Sequence, residues 1–190
     1  MVLKLGQLKE LWGEPIYSRT PNFDDYLGPV CTDSRKIVEG SFFVPLLGGR
    51  FNGHDFLYQA LEQGAQAAVV SRNCKSLVPK DFLHWIVEDT LYAYQQLGLL
   101  YRCHFDLPIV AITGSVGKTS TRELIGAALS PLGCVLTSTA NNNNDVGVPL
   151  TLLQQNSTHV AVVVEMGMRG LGEIKRLSFC TKPDIAVITN

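Results

Sequence analysis

The sequence predicts an α/β fold in two parts, a mixed α/β domain over residues 1–106 and a parallel-sheet domain over residues 107–190. In the first part, short strands, turns and helices follow one another without a fixed order. In the second, apolar strands alternate with helices, which is typical of a parallel sheet covered on both faces. The segment Arg102–Pro108 between the two patterns is the predicted boundary. Hydrophobic residues make up 46% of the 190 residues and charged residues 17%, as in a globular protein.

The predicted elements of the first domain begin with an amphipathic helix, in which Leu5, Leu8 and Leu11 recur at helical spacing before Gly13 ends it. Strands are then predicted over 41–46, 67–70 and 83–87, and a helix over 56–61 that ends near Gly64. Asp89 is predicted to cap a last helix.

The second domain has four predicted strands, over 109–113, 135–138, 160–165 and 185–190. The predicted helices lie near 119–129, 146–154 and 172–179. Ligands bind at the carboxyl ends of strands in such sheets, and nothing follows the fourth strand. We therefore expect an incomplete sheet, and the chain to be the front portion of a longer enzyme.

Composition excludes several classes of function. Sixteen basic and seventeen acidic residues leave a net charge of -1, so no basic field favours nucleic acid or an anionic membrane as partner. Lys4, Lys9 and Glu10 interrupt the N-terminus, which does not read as a targeting signal, and no apolar run approaches the ~18 residues of a membrane span. We expect a soluble, cytoplasmic protein whose five scattered cysteines are small buried hydrophobes, with no zinc cluster among its four histidines.

The most informative segment joins the first strand of the second domain to its helix. It consists of Thr113, Gly114, Ser115, Val116, Gly117, Lys118, Thr119 and Ser120. Glycines allow backbone N–H groups to approach a phosphate, and the following helix N-terminus favours an anion. Lys118 would face the β- and γ-phosphates and Thr119 would bind Mg²⁺. Ile112 stands where the usual pattern has glycine, so the alternative is an ordinary glycine turn with a solvated lysine.

Glu165 ends the apolar strand over 160–165 and is a candidate Mg²⁺ ligand. The carboxyl end of that strand should face the same crevice as the phosphate loop, and Mg²⁺ prefers one or two carboxylates together with phosphate oxygens and water. The alternative is a glutamate that caps a helix or is solvated.

The loop over 139–149 is rich in asparagine, with Asn141, Asn143 and Asn144 as candidate ligand-binding residues. Amide side chains both donate and accept, so this loop could hold phosphates, a metal-bound water or a peptide substrate. An asparagine-rich turn with left-handed residues explains the pattern equally well.

Two polar segments of the first domain could also bind a ligand. Thr32, Asp33, Ser34 and Arg35 could grip a diphosphate or a uracil edge, although such a segment is more often a polar turn. The run from Arg50 to His54 is either a ligand loop or, more simply, a tight turn with an incidental histidine.

Taken together, these segments resemble the Mur ligase family of peptidoglycan synthesis, and most closely its branch that adds D-alanyl-D-alanine to UDP-N-acetylmuramoyl-tripeptide. Ala140 and Asn52 depart from the residues common in the family. The motifs that carry the resemblance are Thr32–Arg35, Gly40–Gly48, Asn52–Phe56, Thr113–Thr119, Asn141–Pro149, Glu165–Arg169 and Gly172–Ile174.

The resemblance implies ATP-dependent amide formation through an acyl phosphate, with ATP and Mg²⁺ as cofactors. Lys118 and Glu165 would be catalytic, and Thr119 and Glu165 would bind the metal. All eight residues of the phosphate loop, Lys118 and Thr119 included, would bind ATP together with Asn144. The substrate would be held by Thr32, Asp33, Ser34, Arg35, Asn141 and Asn143.

The family's magnesium-binding histidine, modified lysine, adenine contacts and C-terminal Rossmann-like domain would all lie beyond residue 190. We therefore expect these 190 residues alone to be inactive, and the full-length enzyme to be a monomer. Three alternatives remain: a non-catalytic sensor of a UDP-sugar or nucleotide, the related ligase that adds the third stem residue, and a small-molecule kinase. The segments at Glu165 and Gly172 argue against the kinase.

Overall fold

The computed structural model describes residues 3–49, 51–139 and 141–190, so Arg50 and Ala140 lie outside the described residues. The chain forms two compact units, Met1–Ala93 and Tyr94–Asn190. This division falls ahead of the segment Arg102–Pro108. The assignment of substrate binding to residues 1–106 and of ATP binding to residues 107–190 remains a prediction.

The first unit carries a four-stranded sheet whose neighbouring strands are all parallel, in the order β1-β2-β3-β4. The predicted first helix is present and ends at Gly13, whose φ is 83°. Asp89 accepts hydrogen bonds from the amides of Leu91 and Tyr92, which confirms the predicted cap. The elements are α1 (Leu5–Trp12), β1 (Val30–Cys31), β2 (Phe42–Phe43), α2 (Leu57–Glu62), β3 (Ala67–Ser71), β4 (His84–Val87) and the start of α3 (Thr90–His104).

Strand β2 is shorter than the predicted strand over 41–46. The amide of Val44 still donates to the carbonyl of Cys31, at 2.8 Å. Pro45 follows, and since proline has no N–H the ladder cannot continue through it. The strand nevertheless buries both phenylalanines, and Phe43 packs in a core with Leu57 of α2 and Val70 of β3.

The second unit carries a parallel sheet in the order β6-β7-β5-β8. Strands and helices alternate along the chain as the sequence predicts, which confirms the α/β fold. The elements are β5 (Ile109–Thr113), α4 (Lys118–Leu129), β6 (Cys134–Thr137), α5 (Gly147–Leu152), β7 (His159–Glu165), α6 (Glu173–Thr181) and β8 (Ile185–Ile188).

Both faces of the central strands β5 and β7 are covered, because successive strand residues point to opposite sides, whereas Ile185 and Ile188 of the edge strand β8 are exposed. On one face Ile109 and Val164 pack in a cluster that includes Val148 of α5 and Leu177 of α6. On the other face, the strand residues Val110, Ile112 and Val163 pack with Ile125 and Leu129 of α4. The register pairs Ile112 with Glu165, so the carboxyl ends of β5 and β7 lie side by side.

The predicted boundary segment is held tightly by Asp184, just ahead of β8. Its Oδ2 accepts from the amide of Ile109 at 2.7 Å and from Nη2 of Arg102 at 3.1 Å. These contacts tie the end of α3 to the start of β5 and explain why the compact units divide inside α3.

All five cysteines are free, and the prediction that they are buried holds only for Cys180. It was wrong for Cys103 and Cys134, which are exposed at the end of α3 and the start of β6. Scattered positions say nothing about which face of an element a cysteine occupies. Within the described residues, no helix has both the length and the apolar character needed to cross a bilayer.

Candidate active site

The phosphate loop connects β5 to α4 and depends on two glycines in left-handed or related backbone conformations. Gly114 has a φ of 139° and Gly117 a φ of 87°. A Cβ added at Gly114 would lie 2.2 Å from Oγ1 of Thr189, so only glycine fits there. Glycine is thus required at position 114, both for the turn and because Thr189 lies so close to it.

Two consecutive amides of this loop point at a single oxygen. The N–H groups of Ser115 and Val116 donate to the carbonyl oxygen of Asn190 at 2.5 and 2.6 Å. Helix α4 then begins at Lys118 without a side-chain cap on its first amides. Converging amides at a helix N-terminus are the arrangement that binds a phosphate oxygen.

The Lys118 side chain folds back over the loop. Its Nζ donates to the carbonyl of Gly114 at 2.7 Å and to that of Ser115 at 3.3 Å. The ammonium is therefore held by two loop carbonyls beside the converging amides, and its role at a phosphate remains a prediction. A positive charge held here would add to the attraction that the amides exert on an anion.

Glu165, at the end of β7, brings together three segments that the sequence singled out. Its carboxylate is almost fully buried, at 5% relative exposure. Oε2 accepts from the hydroxyl of Thr119 and Oε1 from the amide of Asn143, both at 2.8 Å. The amide N–H of Glu165 donates to Oγ of Ser138 at 2.9 Å. The carboxylate is therefore held in one orientation by hydrogen bonds, and the helix-cap and solvated alternatives do not describe it.

Sequence reasoning missed Arg122, which lies three residues after Thr119 on α4 and so faces β7 as well. Its side chain is 4% exposed, and Nη1 lies 3.4 Å from Oε2 of Glu165. Nη2 pairs with the exposed carboxylate of Glu123. Nε is buried without a hydrogen-bond partner. The helical spacing from Thr119 was the signal that could have identified it.

A cavity of about 510 Å³ opens beside the phosphate loop. Its walls combine loop backbone, the asparagine segment and the segment after β7. The lining residues are Gly114, Ser115, Lys118, Asn143, Asn144, Asp145, Val146, Gly167, Met168, Arg169 and Glu173. The amide of Arg169 donates to Glu173 at 2.6 Å, which lowers the pKa of that carboxyl group.

The asparagine loop contains the left-handed turn that one of the two interpretations predicts. Asn141 has a φ of 74° and is exposed, as in a left-handed turn. Oδ1 of Asn144 accepts from the amides of Val146 and Gly147, so it caps the start of α5. Asn143 instead reaches Glu165. The ligand-binding roles of all three asparagines remain predictions.

The donor set around Glu165 fits a magnesium ion that is bound mainly by phosphate oxygens and water. Within residues 3–49, 51–139 and 141–190, no group of three or more His, Cys, Asp or Glu side chains is placed to bind a metal. A cage built from protein side chains alone is therefore not formed there. Thr119 and Glu165 would supply two oxygen ligands. This is about the number of ligands that a protein usually provides to Mg²⁺ at a nucleotide site.

A second cavity, of about 560 Å³, lies in the first unit over the carboxyl end of β2. It contains all four residues of the polar segment that the sequence selected, together with aromatic side chains. The lining residues are Thr32, Asp33, Ser34, Arg35, Phe43, Phe51, Gly53, Phe56 and Gln59. Polar groups beside exposed rings could bind a ligand with a flat base and a charged tail.

Within this cavity, Asp33 and Arg35 form a bidentate ion pair with two contacts of 2.8 Å. Hydrogen bonds from Arg35 lower the pKa of the Asp33 carboxyl group to about 2. The hydroxyl of Ser34 donates to Oε1 of Gln59 at 3.1 Å. The segment thus forms a polar turn, the more common alternative for such a sequence. At the same time it lines the cavity.

His54, by contrast, is structural. Nδ1 lies 2.8 Å from Oδ1 of Asn52, and Nε2 accepts from the amide of Ser71 at 3.0 Å. The side chain is 1% exposed, and burial lowers its pKa. It therefore ties the turn after Asn52 to the end of β3 and is not incidental, while Phe51 and Gly53 of the same run line the cavity.

Comparisons with known proteins agree with this geometry. The model of the Mur ligase family, catalytic domain, matches residues 29–89, and the model of the Mur ligase middle domain matches residues 112–190. The chain belongs to the Mur ligase family. The resemblance drawn from the sequence motifs is thereby confirmed.

The related proteins include the UDP-N-acetylmuramoyl-tripeptide–D-alanyl-D-alanine ligases of Synechocystis, 46% identical over 167 residues, and of Bacillus subtilis, 41% identical over 161. These alignments cover 88% and 85% of this chain but only 37% and 35% of the relatives. The chain thus spans little more than a third of the length of the Mur ligases that it matches.

Solved structures of the family share the fold. MurF from Acinetobacter baumannii matches with a TM-score of 0.86 at 33% identity, over 98% of this chain and 40% of that one. The MurF ligase from Thermotoga maritima in complex with ADP matches with a TM-score of 0.77 at 30% identity, over 85% of this chain and 37% of that one. The predicted fold is therefore confirmed for both parts of the chain.

Proposed function

We propose that this chain forms part of a cytoplasmic, ATP-dependent ligase that joins D-alanyl-D-alanine to UDP-N-acetylmuramoyl-tripeptide. The observation that carries the proposal is the contact of Thr119 with Glu165 beside the Lys118 ammonium. Relatives with 41–46% identity bear the name of this activity, and one solved relative holds ADP.

The phosphate loop would position ATP for transfer of its terminal phosphoryl group to the tripeptide carboxylate. The amides of Ser115 and Val116 would donate to phosphate oxygens, and Lys118 would neutralise charge that builds up during the transfer. The resulting acyl phosphate would be attacked by the amine of D-alanyl-D-alanine. An amide bond forms, the C–O bond to phosphate breaks, and ADP and phosphate are the other products.

Thr119 and Glu165 would hold the magnesium ion against the phosphates. When bound, the ion would withdraw negative charge from the phosphate oxygens. The hydroxyl of Thr119 can donate to Glu165 while a lone pair faces the metal. Asn143 would fix the other carboxylate oxygen, so that the ligand does not rotate away.

The cavity at Thr32–Arg35 would bind the UDP end of the substrate. Phe51 and Phe56 offer exposed rings for the base, and the polar turn offers hydroxyl and amide groups for the diphosphate. Binding of the UDP end, far from the reacting group, would help to align the tripeptide carboxylate with ATP.

The test is an assay of the full-length protein with ATP, Mg²⁺ and UDP-N-acetylmuramoyl-tripeptide. We expect phosphate release and a pentapeptide product only when D-alanyl-D-alanine is present. Activity with UDP-N-acetylmuramoyl-dipeptide and a single amino acid instead would identify the ligase that adds the third residue. Binding of the UDP substrate without any product would favour the sensor.

A further inference from the structure

Arg122 is a buried charge whose role the proposed ligase mechanism does not explain. Its side chain is 96% buried within the second unit, yet it does not line the cavity beside the phosphate loop. Thr119 and Glu165 are absent from that lining as well, so it is the burial of its guanidinium that separates Arg122 from a nucleotide or substrate contact. Its contacts to carboxylates are those to Glu165 and Glu123.

The contacts of the guanidinium are incomplete, which is costly for a buried charge. Nη1 reaches Oε2 of Glu165 only at 3.4 Å, whereas Thr119 reaches the same oxygen at 2.8 Å. Among the residues that the structure describes, Nε has no hydrogen-bond partner. The carboxylate would keep its orientation without Arg122, because Thr119 and Asn143 each hold one of its oxygens. What Arg122 adds is positive charge.

That positive charge weakens the electrostatic attraction of the site for a metal ion. A buried carboxylate alone would attract a divalent cation strongly, but Arg122 offsets part of the charge of Glu165, although it also pairs with the exposed carboxylate of Glu123. Lys118 adds another positive charge at the neighbouring loop. Repulsion between like charges a few ångströms apart is strong in a protein interior. Phosphates that arrive in the cavity would supply the negative charge that is lacking.

We propose that Arg122 keeps the Thr119–Glu165 site from binding a divalent cation until a nucleotide is present. The inference rests on the proposed function, since it assumes that Thr119 and Glu165 bind the metal. Arg122 would act on the metal through its positive charge beside Glu165. It does not touch the substrate, so it is a positioning residue and not a catalytic one. It would make metal uptake follow nucleotide binding.

The experiment measures Mn²⁺ binding to the intact protein by electron paramagnetic resonance, with and without a non-hydrolysable ATP analogue. In Arg122→Gln, Mn²⁺ binding without nucleotide should become about tenfold tighter or more, because a like charge beside the metal is removed. Arg122→Lys keeps the charge and should stay within about threefold of the wild type by the same reasoning. Lys175→Gln removes an equal charge from an exposed position of α6 and should leave binding unchanged.

An unchanged or weaker Mn²⁺ affinity in Arg122→Gln would overturn this inference alone, provided that the wild type binds Mn²⁺ with the analogue. Failure of the wild type to bind Mn²⁺ even with the analogue would overturn the proposed metal site, and this inference with it. Arg122→Met gives a second neutral side chain. If circular dichroism showed both neutral variants to be unfolded, Arg122 would be a structural countercharge, which would also overturn the inference.

Discussion

The hydroxyl of Thr119 donates a 2.8 Å hydrogen bond to Oε2 of Glu165, 46 residues further along the chain. The contact joins the first turn of α4 to the last residue of β7. It is possible because β5 and β7 are parallel neighbours in register at Ile112 and Glu165. The sheet thus places a strand-end carboxylate beside a helix that begins at the end of the adjacent strand.

Replacing Lys118 with alanine should abolish ligase turnover while leaving UDP-substrate binding nearly intact. The ammonium lies over the phosphate loop, whereas the cavity at Thr32–Arg35 belongs to the other compact unit. Loss of one such charge should cost on the order of 3 kcal/mol of transition-state stabilisation. Steady-state kinetics and calorimetric titration of the UDP substrate measure the two effects. Activity within threefold of the wild type would refute the role of Lys118, and Lys175→Ala serves as the exposed control.

Glu165→Gln should shift the Mg²⁺ dependence of activity to about tenfold higher concentrations or more, since the amide keeps the shape but loses the charge. The fold should survive, because Asn143 can turn its own amide and accept from the new one. Activity is measured against Mg²⁺ concentration. The control is Glu62→Gln, which removes an exposed carboxylate from the first unit. Superimposable curves for wild type and Glu165→Gln would mean that Glu165 is structural.

The Asp33 carboxyl group should titrate with a pKa of about 2, below the ordinary value of 3.8, because Arg35 hydrogen-bonds to its ionised form. The folded protein then binds fewer protons at this group than the unfolded chain does. The stabilisation is fully present above 3.8 and is lost as the pH falls towards 2. NMR titration of the carboxyl carbon measures the pKa. Arg35→Gln should return it towards 3.8; an equally low pKa in that variant would exclude Arg35 as the cause.

His54→Ala should destabilise the first unit by about 3 kcal/mol, since it leaves the amide of Ser71 unpaired and opens a cavity. Both tryptophans of the chain, Trp12 and Trp85, lie in this unit, so fluorescence during urea unfolding reports on it directly. Lys80→Ala, at an exposed position of the same unit, should change stability by less than about 0.5 kcal/mol. Equal effects of the two substitutions would contradict a structural role for His54.

The same histidine should make the first unit less stable in mild acid. Burial lowers the pKa of His54 from its ordinary value of 6.5, so the folded protein keeps it neutral while the unfolded chain takes up a proton. Stability should therefore fall as the pH drops below 6.5. The measurement is the urea midpoint of the fluorescence transition as a function of pH. His54→Ala should flatten that dependence, and an unchanged slope would assign it to other groups.

The second unit was more predictable from sequence than the first. Strands such as Ile109–Thr113 are buried on both faces and flanked by helices, so their apolar runs carry a clear signal. Strand β2 is only two residues long, too short for any pattern, and Pro45 ended it earlier than apolar character suggested.

At the site, types of residue could be predicted but not their pairings. Glycine, lysine and hydroxyl residues in fixed order identified the phosphate loop, and a strand-end position identified Glu165. Arg122 looked like one more charge on a helix: its spacing from Thr119 indicates a shared helix face, but the register of β5 against β7 was needed to show that this face is buried against Glu165. The bidentate contact of Asp33 with Arg35 likewise depends on a local turn geometry that residue types do not specify.

The order of strands in the second sheet has a consequence for how the protein is made. In the described residues, strand β5 lies between β7 and β8, both of which the ribosome produces later, and β6 lies beside β7 at the edge of the sheet. The phosphate loop is therefore synthesised before either strand that will support it. Until His159–Glu165 has emerged, β5 must remain exposed as an unpaired apolar segment. Such late, long-range pairing slows folding and leaves the nascent chain prone to aggregation until β7 is available to pair with β5.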